Sequence, residues 1–290
     1  MFVVLLLCMI CMSNIETIES VSKKKICVMA IFKNEEDYIE EWLEHHIDQG
    51  ISHFYLYCND PHVEKYNLNK FEKYITLISW TNKVNNGVET IQRQAYTHCI
   101  QNHNNEYDFI IMLDIDEFLI NKGNFSIDKE NKKVIDFINL LDNNKIKAIK
   151  VQRYDFGSNG HKTKPNGKVM DNYTKREKIC SSYKTIASSK FINVNQKFYG
   201  VHDFPLLNDS GKIYNDYFTY KLTGYPNKCM KDTINETPLV INHYYTKSYE
   251  EYINRCKMWK NGGVNAIRYR NNCEEIFTDR DVDEVDIAKS

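Results

Sequence analysis

Residues Asp108 to Phe118 read DFIIMLDIDEF. The run through Leu113 reads as the most apolar strand in the chain, short and without a polar face, which is the pattern of a strand covered on both sides. It ends abruptly on acids. Along an extended chain, side chains two apart face the same way, so the carboxylates of Asp114 and Asp116 can grip one hard cation. The same spacing recurs at Asp279 with Asp281 and at Asp281 with Asp283, but in a polar tail. Only the first copy follows a buried strand, and a strand end is where a rigid site is usually built. The alternative reading is a strand-terminal turn whose acids cap the next element.

Outward from this stretch, apolar runs alternate with helical periodicity, which predicts an α/β fold with parallel strands and crossover helices. Lys25 to Phe32 (KICVMAIF), His53 to Cys58 (HFYLYC) and Tyr74 to Trp80 (YITLISW) read as strands. Between the first two, Asn34 with Asp37 three residues on looks like a helix cap, and Ile39, Trp42, Leu43 and Ile47 form one apolar face. Gly50 closes that helix. Val88 to His103 makes a second helix. Four strands in this order resemble half of a doubly wound sheet, with Lys33 to Glu35, Asn59, Asp60 and Asp114 to Asp116 on one rim. Farther on, a helix near Asn131 to Leu141 and a strand from Ile146 to Tyr154 are expected. Residues 157–240, rich in Gly, Asn, Lys and Tyr, read as long loops and short strands over a site. Leu239 to Tyr245 is a late strand and Tyr249 to Trp259 a late helix. One domain is expected over residues 23–275, with a solvated acidic tail over 276–290.

Composition narrows the function. With 38 Lys and Arg against 39 Asp and Glu in 290 residues, no global field recruits nucleic acid or an anionic membrane. A 42% hydrophobic content excludes a disordered chain, and 13% aromatic residues supply stacking platforms. Met1 to Met12 (MFVVLLLCMICM) is shorter than the roughly 20 residues a spanning helix needs. Residues 1–22 therefore read as a signal peptide or short anchor, although no Lys or Arg precedes the apolar run. The expected location is the secretory pathway, in the ER or Golgi lumen or outside the cell, with weak membrane anchorage through the N-terminus; the alternative is the cytoplasm. Cys27, Cys58 and Cys99 lie in apolar stretches and read as core residues. Cys180, Cys229, Cys256 and Cys273 are available to pair in an oxidising compartment. Sequons stand at Asn124, Asn172, Asn208 and Asn235, in a chain so rich in Asn that they argue little.

Further candidates are weaker taken singly. Asn34 and Glu35 sit at a strand end, where free backbone amides can hold phosphate or ribose. His243, in Asn242-His243-Tyr244-Tyr245, lies at another strand end and is either a ligand or a satisfied structural residue. Phe156 to Lys168 (FGSNGHKTKPNGK) resembles a binding loop, and its basic character continues through Lys175, Arg176 and Lys178. A solvated loop explains it equally well. The chain has no GxGxxG, GxxxxGK[ST], HExxH or GxSxG, which removes the usual warrants for dinucleotide binding, P-loop chemistry, zincins and elbow-type hydrolases.

Five blocks taken together closely resemble glycosyltransferase family 92, enzymes of the GT-A fold. They are Lys33-Asn34-Glu35-Glu36-x-Tyr38-Ile39-x-Glu41-Trp42-Leu43-x-His45-His46, Gln92-x-x-Ala95-Tyr96-x-x-Cys99, Asp114-x-Asp116-Glu117-Phe118-Leu119, Phe156-Gly157-Ser158-x-Gly160-His161 and Asn242-His243-Tyr244-Tyr245-x-Lys247-Ser248-x-Glu250-Glu251-Tyr252. The resemblance implies a mostly parallel central sheet flanked by helices, with a loop-rich acceptor-side half. It implies metal-dependent transfer of a sugar, typically galactose from UDP-galactose, onto a glycan hydroxyl with inversion. Asp114 and Asp116 would correspond to the family's motif for metal and diphosphate, with His243 completing the site of a Mn²⁺ or Mg²⁺ ion. Lys33, Asn34, Glu35, Asp60 and Gln92 are expected on the donor, and Gly157, Ser158, Gly160 and His161 in an acceptor-side loop. Asp203, in Val201-His202-Asp203-Phe204, is the candidate base, with Asp155 and Glu236 as rivals. The family's plant and animal members are anchored in the Golgi membrane; the short uncharged leader here departs from that pattern. Two other readings compete: a catalytically inactive glycan- or nucleotide-sugar-binding protein on the same scaffold, and a nuclease or RNA-binding protein using the basic stretch 161–178.

Overall fold

The computed structural model describes residues 23–81, 89–122, 133–141, 143–177, 181–208, 211–214, 238–261, 273–280 and 285–286. The leader, Cys180, Cys229, Glu236 and the sequons at Asn124 and Asn235 lie outside the described residues.

The expected α/β pattern holds. Strands β1 (Ile26–Phe32), β2 (His53–Cys58), β3 (Ile75–Ser79) and β4 (Phe109–Met112) form a parallel block in the order β3-β2-β1-β4. Residues 26 to 30 and 109 to 112 are wholly buried, as flush apolar runs require when helices cover both faces. On one face, helix α1 (Ile39–Asp48) presses Ile39, Trp42 and Leu43 into the larger core. On the other, α2 (Ile91–His103) contributes Ala95, Tyr96, Cys99 and Ile100 to a second core. Thr90 caps α2 by accepting from the Arg93 amide. Gly50 ends α1 at φ 87, and a Cβ there would lie 2.3 Å from Ile135, so the turn needs glycine twice over.

Asn34 does not cap α1, contrary to the sequence reading. The helix starts at Ile39 after a turn in which the Tyr38 and Ile39 amides both donate to the Glu35 carbonyl, and Asn34 sits at φ 57 in the left-handed region. That turn carries Glu35 away from the helix end and toward the acids that follow β4.

The second half of the sheet is mixed. Strand β5 (Glu117–Asn121), helix α3 (Val134–Asn139) and strand β6 (Ile146–Asp155) are followed by the one-turn α4 (Val169–Asn172), the short β7 (Lys175–Arg176), β8 (Ser182–Ser188) and β9 (Lys212–Tyr214). Strand β10 (Leu239–His243) completes the order β4-β8-β6-β10-β5, with β9 alongside β6. β8 runs antiparallel to both β4 and β6, and β10 runs parallel to β6 but antiparallel to β5. The reading of 157–240 as loops and short strands thus missed a central strand, because SYKTIAS carries polar residues at positions that are buried. Helix α5 (Tyr249–Asn261) is joined by the Cys256–Cys273 disulfide to α6 (Cys273–Arg280), which crosses the expected 275/276 boundary. Within the acidic tail, β11 (Val285–Asp286) pairs with β7. Cys27, Cys58 and Cys99 are buried free thiols, as expected. Among the described residues no helix is long and apolar enough to cross a membrane.

Candidate active site

The register of the mixed half gathers charge at one place. His243, last in β10, stands opposite Glu117 at the start of β5 and opposite Asp155 at the end of β6. The tight connection from β4 to β5 holds Asp114 and Asp116 beside them: the Glu117 amide donates to the Asp114 carbonyl at 3.0 Å, and the Asp114 amide donates to the Glu117 carboxylate at 3.0 Å. The Tyr244 amide then fixes the Asp116 carbonyl at 2.8 Å.

Two charged groups result. In the first, Lys184 of β8, fully buried, bridges Asp114 at 3.1 Å and Glu117 at 3.2 Å. Arg153 of β6 holds the other Glu117 oxygen at 3.0 Å, and Gln92 of α2 donates to Asp114 at 2.9 Å. Burial pushes Asp114 above the usual carboxylate range. It would do the same to Glu117, but Lys184 and Arg153 hold that carboxyl below the range. In the second group, Asp155 meets His243 Nδ1 at 2.6 Å while Nε2 lies 3.5 Å from Asp116 Oδ1. Arg255 of α5 stands 3.6 Å from the other Asp116 oxygen. Against the effect of burial, His243, Lys247 and Arg255 hold Asp116 well below the carboxylate range. Burial and Arg153 disfavour a charged His243, yet the two aspartates raise it to about 9. Glu35 completes the rim, pushed up to about 7 by burial against the pull of Lys247, whose ammonium is 3.9 Å away.

Asp114, Asp116, His243, Gln92 and Glu35 therefore come together. Among the described residues, no three His, Cys, Asp or Glu side chains are grouped to hold a metal ion. Asp114 is turned onto Gln92 and Lys184, which leaves Asp116 and His243 as the facing pair. An imidazole whose Nδ1 is tied to a carboxylate is the usual support for a metal-binding histidine, and a divalent cation between Asp116 and His243 would take the place of the proton that the two aspartates hold on Nε2. Asp155 fills that supporting position.

The other sequence candidates stand apart. Lys33 is exposed, and Asn34 meets Tyr66 and Lys65. The carboxylate of Asp60 is taken by Lys65 at 2.7 Å, the Tyr66 hydroxyl at 3.0 Å and the His62 amide at 3.0 Å, which makes it a clamp for its own loop. Ser158 accepts from the Gly160 amide, and the Gly157 amide donates to the Lys175 carbonyl. The His161 carbonyl accepts from Tyr249 at the start of α5, so this loop is a folded turn packed beside the site. Asp203 is bound by the hydroxyls of Tyr183 and Thr185 and lies 3.6 Å from Lys150. Tyr183 and Thr185 alternate with Lys184 along β8, so they leave the strand on the opposite face. Sequence reasoning passed over Lys184, Arg153 and Arg255. Only Lys247 had a signal, as a fixed letter in the block after His243.

Residues 23–275 match the model of glycosyltransferase family 92. A glycosyltransferase family 92 protein of Ricinus communis is 21% identical over 180 residues, which is 59% of this chain but 30% of that relative's length. With a match over most of its length and a charged rim where its blocks converge, the chain belongs to glycosyltransferase family 92.

Proposed function

We propose that the protein transfers a sugar, galactose by family likeness, from a UDP-sugar to a glycan hydroxyl with inversion at the anomeric carbon. The observation that carries this reading is the triad Asp155–His243–Asp116, in which Asp155 holds Nδ1 and Nε2 faces the Asp116 carboxylate. A Mn²⁺ or Mg²⁺ ion held by Asp116 and His243 would supply charge neutralisation for the diphosphate. The chain's own residues do the rest. Gln92 and Lys184 fix the direction of Asp114, and Glu117 with Arg153 holds the β4–β5 connection that presents Asp116. In the transfer, the acceptor hydroxyl oxygen bonds to the anomeric carbon from the side opposite the phosphate. The bond from that carbon to the phosphate oxygen breaks, its electron pair leaves with UDP, and the hydroxyl proton passes to a carboxylate. Asp203, the base expected from sequence, is not assigned that role, because the Tyr183 and Thr185 hydroxyls hold it on the face of β8 opposite Lys184. The Cys256–Cys273 disulfide supports an oxidising compartment, in line with the secretory pathway.

The test is a screen of nucleotide sugars with Mn²⁺ and glycan acceptors, read as release of the nucleoside diphosphate. Asp116→Ala should lower turnover roughly a thousandfold, comparable to removing one strong electrostatic contact at a leaving group, with an unchanged circular dichroism spectrum. Wild-type turnover in Asp116→Ala would remove the assignment. Donor binding without release, whatever acceptor is supplied, would favour the inactive sugar-binding reading.

A further inference from the structure

Between β10 and α5, Thr246, Lys247 and Ser248 are 1%, 6% and 0% exposed. Ser248 and Glu251 cap α5 reciprocally: the Glu251 amide donates to Ser248 Oγ, and Ser248 donates back to the Glu251 carboxylate from its amide and hydroxyl. The next two amides, of Tyr249 and Glu250, donate to the carbonyls of His161 and Lys162 at 3.0 Å each. The start of the helix thus has its backbone donors occupied and offers none to a ligand. Lys247 is different. Its backbone sits at φ 55 in the left-handed region, and its side chain is folded inward. The ammonium rests 3.5 Å from the centre of the Tyr38 ring and 3.9 Å from Glu35, with no hydrogen bond to any described residue. The Tyr38 hydroxyl donates to Glu251, and the ammonium lies against the ring face and not at that oxygen.

A lysine only 6% exposed whose ammonium has the 3.9 Å ion pair with Glu35 and the Tyr38 ring but no hydrogen bond within the described protein is held at a cost that a ligand would relieve. Burial accordingly holds Lys247 below the ordinary lysine range in spite of Glu35 and Asp116 nearby. Such a group persists where a ligand meets it, and a compact, strongly charged ammonium suits phosphate oxygens. We propose that Lys247 is the anchor of the donor's diphosphate, giving to phosphate oxygens the hydrogen bonds that the protein withholds. The proposal rests on the UDP-sugar reading of this site, and it adds a residue that would hold the leaving group from the turn before α5.

The experiment compares full-length wild type, Lys247→Met and Lys247→Arg in calorimetric titrations with UDP, uridine and inorganic pyrophosphate, each with Mn²⁺. Lys247→Met should lose roughly tenfold to a hundredfold in affinity for UDP and pyrophosphate, the range for a hydrogen bond to a charged group, and nothing for uridine. Lys247→Arg should recover part of the loss. Without ligand, Lys247→Met should melt at or above the wild-type temperature, since it removes a buried charge that lacks a hydrogen bond. A lower ligand-free melting temperature with equal losses for all three ligands would make Lys247 a structural residue and overturn the proposal. Undiminished binding of UDP and pyrophosphate by Lys247→Met would overturn it while leaving the donor reading intact. Lys247-dependent binding of pyrophosphate without preference for UDP would sustain the anchor and overturn the donor. Binding of neither by wild type would overturn both.

Discussion

The two halves of the sheet bury different things. Strands β1 and β4 have interiors of Ile, Val, Met, Ala, Cys and Phe, whereas the strands from β8 to β5 carry Lys184, Glu117, Asp155 and His243 inside, each at most 6% exposed. Apolar burial stabilises wherever it occurs, at about 25 cal/mol per Å². A buried charge stabilises only through its partner, and an apolar pair in its place often does as well or better. The first half is therefore a platform, and the second carries charges that folding alone does not require. The difference favours the seam, where the platform's strand β4 ends and the charged connection to β5 begins, as the place of the proposed site.

Paired substitutions break the comparison most sharply. Glu117→Ala leaves buried Lys184 with Asp114 alone and Arg153 with only Asp155 at 3.6 Å, and should cost about 4 kcal/mol in urea denaturation together with most of the activity of the folded fraction. Leu56→Ala in β2, equally buried, should cost about 3 kcal/mol through its cavity but leave activity per folded molecule unchanged. Similar activity losses from the two would erase the distinction between platform and site.

A smaller effect sharpens it within the platform. Burial works to raise Asp60, but Lys65, the His62 amide and the Tyr66 hydroxyl hold it well below the carboxylate range. A carboxyl depressed on folding contributes stability above its unfolded pKa of about 4, and that contribution fades as pH falls toward the folded value. Asp60→Asn should therefore cost about 1–2 kcal/mol at pH 7, with the gap to wild type closing in thermal melts below about pH 4. UDP affinity should not change, since Asp60 is committed to its own loop. A loss of UDP affinity with no loss of stability would return Asp60 to the donor contacts expected from sequence.

Legibility follows the same division. β1 to β4 could be read because DFIIML and KICVMAIF need no partner to explain their burial. β8 could not, because SYKTIAS places a lysine in the interior, and only Asp114 and Glu117 at 3.1 and 3.2 Å make that tolerable. Such partners lie 70 and 67 residues away, beyond any local pattern. Asp116 was legible from its spacing to Asp114 at the end of a buried strand, whereas His243 needed the blocks of resemblance, since a single histidine at a strand end carries little signal. Asp155 was named as a rival base, but the structure seats it on His243 Nδ1, a role that becomes visible only once β6 and β10 are paired. The Asn34 cap failed for a local reason: the Glu35 carbonyl accepts from Tyr38 and Ile39, so the turn runs on and the helix starts later.

The most direct measurement follows release of UDP from UDP-galactose by the full chain in the presence of a glycan acceptor, with and without a chelator. The account predicts that release needs Mn²⁺ or Mg²⁺, stops on chelation and returns when the ion is restored. Release at an undiminished rate in the chelated protein would contradict it.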